Sequence, residues 1–153
     1  MAVAGAAITA AAINDYLERA FPGTGNRCLE VGPDWAVARH QASAAQLRPG
    51  GIVSGPTLFG LCDAVLWYAL FGAVGIEPMA LTSELSIRFL RPARGAAVVA
   101  RADLHHVGRR SVIGSIRCWT EEAPDVTVAV AQGTYVRPRD PDAGQIPPSA
   151  KGN

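Results

Sequence analysis

Among 153 residues, Asp63 is the side chain best placed for chemistry. It is the only charge between Gly55 and Ile76, the most apolar stretch of the chain. Burying a carboxylate among neighbours such as Cys62, Leu66 and Trp67 is costly, which points to function rather than packing. A carboxylate in that setting serves as a general base or as a nucleophile. Gly55 stands eight residues earlier. Read as a helix, the stretch begins at Gly55, with Ser54 as its N-cap and Pro56 in the first turn, where an N–H would have no intrahelical partner. The free N–H groups and positive dipole end there suit a developing oxyanion. Gly55 is the best donor, because no side chain blocks close approach; Pro56 cannot donate, which leaves Gly55 and residues such as Thr57.

Gly55 and Asp63 lie about 12 Å apart along one helix axis, so one chain cannot apply both to a single carbonyl. Two antiparallel helices in a symmetric dimer would bring Gly55 of one copy to Asp63 of the other, giving two sites per dimer. Elsewhere, Arg109 and Arg110 follow Gly108 in a predicted turn and suit phosphate oxygens. Arg91 and Arg94 are weaker candidates of the same kind. His105 and His106 are adjacent, so on a strand they point to opposite faces. Asp103 with His105 offers only two ligands, and no metal site is expected.

These groups need elements to hold them. Residues 7–20 read as a short helix stopped by Pro22-Gly23, and 35–43 as a strand. Residues 55–76 form the long apolar helix. It is long enough to span a bilayer, but a carboxylate at its middle argues against that reading. Burial within a fold explains the same residues. Four strands follow, joined by short turns and therefore antiparallel. In the first, Leu81, Leu85, Ile87 and Phe89 alternate with Thr82, Glu84, Ser86 and Arg88. The fourth reaches Val136, and 139–153 reads as a disordered tail. One long helix on an antiparallel sheet makes an α+β domain over 1–138. A helix apolar all round needs more cover than one sheet face gives, so an obligate oligomer is expected.

Composition narrows the class. Apolar residues make up 49% and charged residues 18%, with a formal net charge of +1. This balance gives no overall pull toward nucleic acid or anionic membrane. Thirteen of the fourteen basic residues are Arg. Three cysteines without a C-x-x-C pair fit a reducing cytosol, and the start lacks the basic region of a signal peptide. A soluble cytoplasmic domain is expected.

The run Val53-Ser54-Gly55-Pro56-Thr57-Leu58-Phe59-Gly60-Leu61-Cys62-Asp63 resembles the opening of the central helix in hotdog-fold acyl-CoA thioesterases of the phenylacetate-pathway branch. There a His-Gly-Gly is followed by an acid nine positions after the His. Ser54 stands at the His, Gly55 and Pro56 at the glycines, and Asp63 at the acid. The strand Leu81 to Pro92 and the turn Val107-Gly108-Arg109-Arg110 are similar too, so the resemblance spans Leu47 to Pro138. It implies a hotdog fold, as a homodimer or a dimer of dimers with active sites at the interface. It also implies hydrolysis of an acyl-CoA to a carboxylic acid and coenzyme A, with no further cofactor. Asp63, Gly55, Thr82 and Ser54 take the catalytic positions, with Thr82 orienting water. Arg48 stands where an Asn often holds that water. Arg48, Thr57, Gly108, Arg109 and Arg110 are the implied substrate contacts. With the His replaced, a non-catalytic acyl-CoA or fatty-acyl binder is the alternative.

Overall fold

The computed structural model describes residues 7–139. The expected tail at 139–153 therefore lies, but for Arg139, outside the described residues. The chain opens with helix α1 (Ala10–Ala20), then strands β1 (Asn26–Val31) and β2 (Trp35–Gln41). A short 3₁₀ turn and the two-residue strands β3 (Leu47–Arg48) and β4 (Ile52–Val53) lead into the long helix α2 (Gly55–Val74). Strands β5 (Leu81–Phe89), β6 (Ala97–Val107), β7 (Ser111–Thr120) and β8 (Ala123–Val136) complete the domain. The main sheet runs β1-β2-β6-β7-β8-β5, antiparallel throughout. The α+β architecture is as expected, but the main sheet has one strand more, β1, and the short β3–β4 pair flanks the stretch read as a loop. The sequence of β1 hides it, because only Cys28 is buried, Leu29 is exposed, and a bulge between Cys28 and Glu30 breaks the alternation.

α1 starts where Thr9 Oγ1 accepts the Ala12 N–H at 3.1 Å, an ordinary N-cap. It buries Ile13 and Leu17. Asn14 then clamps the sheet edge. Its Oδ1 accepts the Cys28 N–H and its Nδ2 donates to the Cys28 carbonyl, both at 2.8 Å. α2 begins at the Ser54 cap and stops at Gly75, whose φ of +93° ends the helical path. By length and mean hydropathy (1.7) α2 could cross a membrane, yet half of that stretch is buried inside the domain. Leu61, Cys62, Val65, Leu66, Ala69 and Leu70 are essentially sealed. The uncovered part is at the N-terminal half, where Pro56, Phe59 and Gly60 are exposed.

How closely the helix sits is decided by two glycines. Gly114 of β7 and Gly133 of β8 are register partners. A Cβ on Gly114 would come within 2.8 Å of Leu66 Cδ1, and one on Gly133 within 2.9 Å of Leu66 Cδ2. Leu66 is thus seated in a saddle of bare backbone. Gly60 is the opposite case. It lies within the helix, yet a Cβ there would meet nothing within 4 Å in the single chain. Gly133→Ala should therefore cost about 1–3 kcal/mol through overpacking. Gly60→Ala should raise stability by about 0.5–1 kcal/mol through helix propensity. Denaturant unfolding of the two variants checks both signs.

Candidate active site

Asp63 projects from the middle of α2 and is half-buried rather than sealed. The expected burial among apolar neighbours is partial, because an open cleft of about 340 Å³ lies at its side. Phe21, Trp67, Tyr68 and Leu81 give this cleft its apolar walls. Two hydroxyls hold the carboxylate. Thr82 donates to Oδ1 at 2.6 Å and Tyr135 donates to the same atom at 2.9 Å. The Tyr135 hydroxyl also lies 3.1 Å from the Asp63 carbonyl. Among the described residues no donor reaches Oδ2, which is left for a water or substrate. Burial first, then the Asp63 charge, push the Tyr135 hydroxyl well above its ordinary value. It stays protonated, and so a donor, through the physiological range.

Thr82 reaches Asp63 because the strand is irregular. Simple alternation puts Thr82 on the face of Glu84, away from Leu85. A bulge between Thr82 and Glu84 inserts one residue, so Thr82 pairs with Tyr135 and Leu85 with Gly133. Tyr135 and Gly133 share the helix-facing side of β8, and Thr82 joins it. The predicted face assignment of β5 is thereby corrected for Thr82. Tyr135 itself was missed. The one signal for it was its place on the buried parity of β8 in a strand otherwise lined by small residues.

Gly55 sits elsewhere. It floors a separate cleft of about 700 Å³ rimmed by Arg48, Phe89 and Arg91, in which Asp63 has no part. A Cβ on Gly55 would touch the Phe89 ring at 3.3 Å. One chain therefore does not bring Gly55 to Asp63, as helix geometry required. Ser54 Oγ is spent on the cap: it accepts the Thr57 N–H at 3.4 Å and bonds Thr57 Oγ1 at 2.7 Å. The Thr57 N–H also approaches the Ser54 carbonyl at 3.1 Å. Thr57 is thus no free oxyanion donor, which corrects its pairing with Gly55. Gly55 N–H donates to no group among the described residues.

Gly108, Arg109 and Arg110 form the β6–β7 turn, away from both clefts. Arg137 holds this turn. Its Nη1 donates to the Gly108 carbonyl at 3.1 Å and its N–H to the Arg110 carbonyl at 2.8 Å, while Nε pairs with Glu77 at 2.9 Å. Of the aromatic residues on α2 around Asp63, Phe71 is core, whereas Trp67 and Tyr68 both pack and line the Asp63 cleft. Among the described residues no cluster of three metal-ligating side chains occurs.

The family model described as the thioesterase superfamily matches residues 50–127, half of the chain. The chain belongs to the thioesterase superfamily. No curated protein matches it. Among solved structures, a candidate thioesterase from Silicibacter is 28% identical, with a TM-score of 0.77 over 86% of this chain and 92% of that one. The PaaI protein of the Escherichia coli phenylacetic acid degradation operon is 26% identical, with a TM-score of 0.66 over 84% and 92%. A thioesterase from Haemophilus influenzae shares the fold at 22% identity, with a TM-score of 0.73 over 84% and 90%. The sheet around a long helix is the hotdog fold of the phenylacetate-pathway branch. Thioesterase activity in general is the function these relatives support.

All three cysteines are free and buried. Burial pushes the Cys28 thiol up to about 11, with its bond to the Glu30 carbonyl as a smaller opposing effect. The contact with Cys118 first, and burial second, push Cys62 up as well. Raised thiols stay neutral in the fold. Their stabilising contribution is present below the free-thiol value of about 8.5 and is lost as pH rises through the folded value. The native protein should release no rapid colour with a disulfide reagent at neutral pH, and all three thiols should titrate after denaturation. Stability should fall on raising pH above about 9. A fast-reacting thiol in the native protein would contradict the burial.

Proposed function

We propose that this protein is an acyl-CoA thioesterase with Asp63 as its general base or nucleophile. The observation that carries this is the carboxylate at the wall of an apolar cleft, with Oδ1 held by Thr82 and Tyr135 and Oδ2 free. As a base, Asp63 takes a proton from water while the water oxygen bonds to the thioester carbon. The C–S bond then breaks and the leaving thiolate recovers that proton. As a nucleophile, Oδ2 itself bonds to the carbon and the C–S bond breaks, releasing the CoA thiolate and leaving an acyl anhydride on Asp63. Water then cleaves the anhydride to the carboxylic acid, which restores the Asp63 carboxylate and gives up the proton that the thiolate takes. Either route develops an oxyanion, for which the Gly55 N–H of a second copy is the donor. The uncovered N-terminal half of α2, which carries both Gly55 and Asp63, is where that copy docks, as a homodimer that can pair further into a tetramer. Arg48 and Arg91 rim the Gly55 cleft, and Arg109 and Arg110 offer a second basic group for the CoA phosphates.

Ser54 and Pro56 leave fewer donors at the helix start than a His-Gly-Gly would, which concentrates oxyanion stabilisation on Gly55. Thiol release from a panel of acyl-CoAs tests the whole reading. Asp63→Asn should lower kcat by about 10²–10⁴ while melting normally and keeping its oligomeric state. Tyr135→Phe and Thr82→Ala should each lower kcat by about tenfold, the worth of one hydrogen bond that orients the carboxylate. Arg109→Ala and Arg110→Ala should raise KM and leave kcat unchanged. Turnover by none of the substrates, with CoA still bound, would leave the non-catalytic binder instead.

A further inference from the structure

We infer that His40 is a positioning residue for the oxyanion donor: through Gln46 it fixes the start of α2, and so aims the Gly55 N–H of its own chain at the thioester held by Asp63 of a second copy. This rests on the thioesterase reading. His40 lies on β2, is 5% exposed, and is used nowhere in the hydrolysis as described. Its two ring nitrogens lie 2.7 Å from Asn26 Oδ1 and 2.9 Å from Gln46 Oε1. Gln46 Oε1 also accepts the Ser43 N–H at 2.9 Å, which fixes the orientation of the amide. An oxygen only accepts, so His40 Nε2 carries the proton and donates to Gln46. With both nitrogens committed inside the fold, His40 is no free acid or base. What it does is grip Gln46, the last residue of the 3₁₀ turn before β3.

Gln46 passes that grip to α2 through its backbone. Its carbonyl accepts the Ser54 N–H at 2.9 Å. This bond is the next rung after the β3–β4 pairs Leu47–Val53 and Arg48–Ile52, a ladder too short to stand alone. On the far side of the ladder, the Val53 N–H is tied to the Ala93 carbonyl at 2.9 Å. Ser54 is the N-cap of α2, and its own carbonyl accepts the Leu58 N–H at 3.1 Å. The Ser54 carbonyl and the Gly55 N–H belong to one planar peptide group. Holding Ser54 from both sides therefore sets the direction of the Gly55 N–H. Neighbouring donors do not make up for a misaimed Gly55: Pro56 has no N–H and the Thr57 N–H closes the cap. Every bond in this path is made within one chain, whereas the donor that it aims serves the other.

That division gives a test by complementation, measured as thiol release from the acyl-CoA that wild type turns over fastest. His40→Leu should lower kcat by about tenfold, the worth of one hydrogen bond, and leave KM unchanged. Mixed dimers of His40→Leu and Asp63→Asn chains, isolated through two different affinity tags, should recover about half of the wild-type kcat, since one of the two symmetric sites is then intact. That site joins Asp63 of the first chain to a correctly held Gly55 of the second. Were His40 to act on Asp63 of its own chain, through Asn26 in the cleft wall, or only to stabilise the fold, the mixed dimer would be no faster than His40→Leu. Gln46→Met should match His40→Leu in kcat and in complementation. Gln46→Glu keeps an acceptor for Ser43 and His40 and should recover most of that loss. If His40→Leu does not fold, the two Gln46 variants carry the same test. A mixed dimer no faster than the His40 or Gln46 variant, or an unchanged kcat in those variants, would overturn the proposal and leave the thioesterase reading intact. Absence of turnover by wild type on every acyl-CoA would overturn both.

Discussion

The arrangement of this domain depends on one close approach, Leu66 seated over the paired glycines Gly114 and Gly133. Side chains at those two sheet positions would hold α2 away from β7 and β8. With bare backbone there, the helix axis drops onto the sheet, and the residue one turn before Leu66 comes level with the residue two places after Gly133. Those residues are Asp63 and Tyr135, and they bond at 2.9 Å. The Asp63 carboxylate is thus positioned by packing before any hydrogen bond is made. The hydroxyls of Tyr135 and Thr82 then select one rotamer from what packing allows.

A second constraint divides the chemistry. Helix rise separates Gly55 from Asp63, and the two open into different clefts. The proposed dimer resolves that separation by using the same uncovered stretch of α2 twice, once as acid-bearing surface and once as oxyanion donor. The exposure of Pro56, Phe59 and Gly60 in the single chain is then a consequence of the site's design rather than an incomplete core.

Much of this was legible in the sequence because the relevant signals are local. The apolar run with a lone Asp63, the Ser54 cap, the glycine-marked turns and the period-two strands all report on a few adjacent residues. What escaped depends on irregularity or on distant pairing. β1 has one buried residue and a bulge, so its alternation never shows. Thr82 was placed on the outer face by strict alternation, and the bulge after it reversed that. Tyr135 becomes part of the site only through register with Thr82 across two strands far apart in sequence. The availability of Thr57 could not be judged without knowing that its N–H closes the cap. Gly114 and Gly133 resemble ordinary strand glycines until the helix that needs them is in place.

The strand order also sets a timetable. β5 is an edge, and the sheet partner that holds it is β8, the last strand among the described residues. Thr82 comes from β5 and Tyr135 from near the end of β8. During synthesis from the N-terminus, α2 and β5 emerge well before the strand that fixes them. Until β8 pairs on both sides, with β7 and with β5, Asp63 has neither of its hydroxyl partners. A nascent or C-terminally clipped chain therefore lacks the hydroxyl pair around Asp63, which is assembled only with completion of the fold.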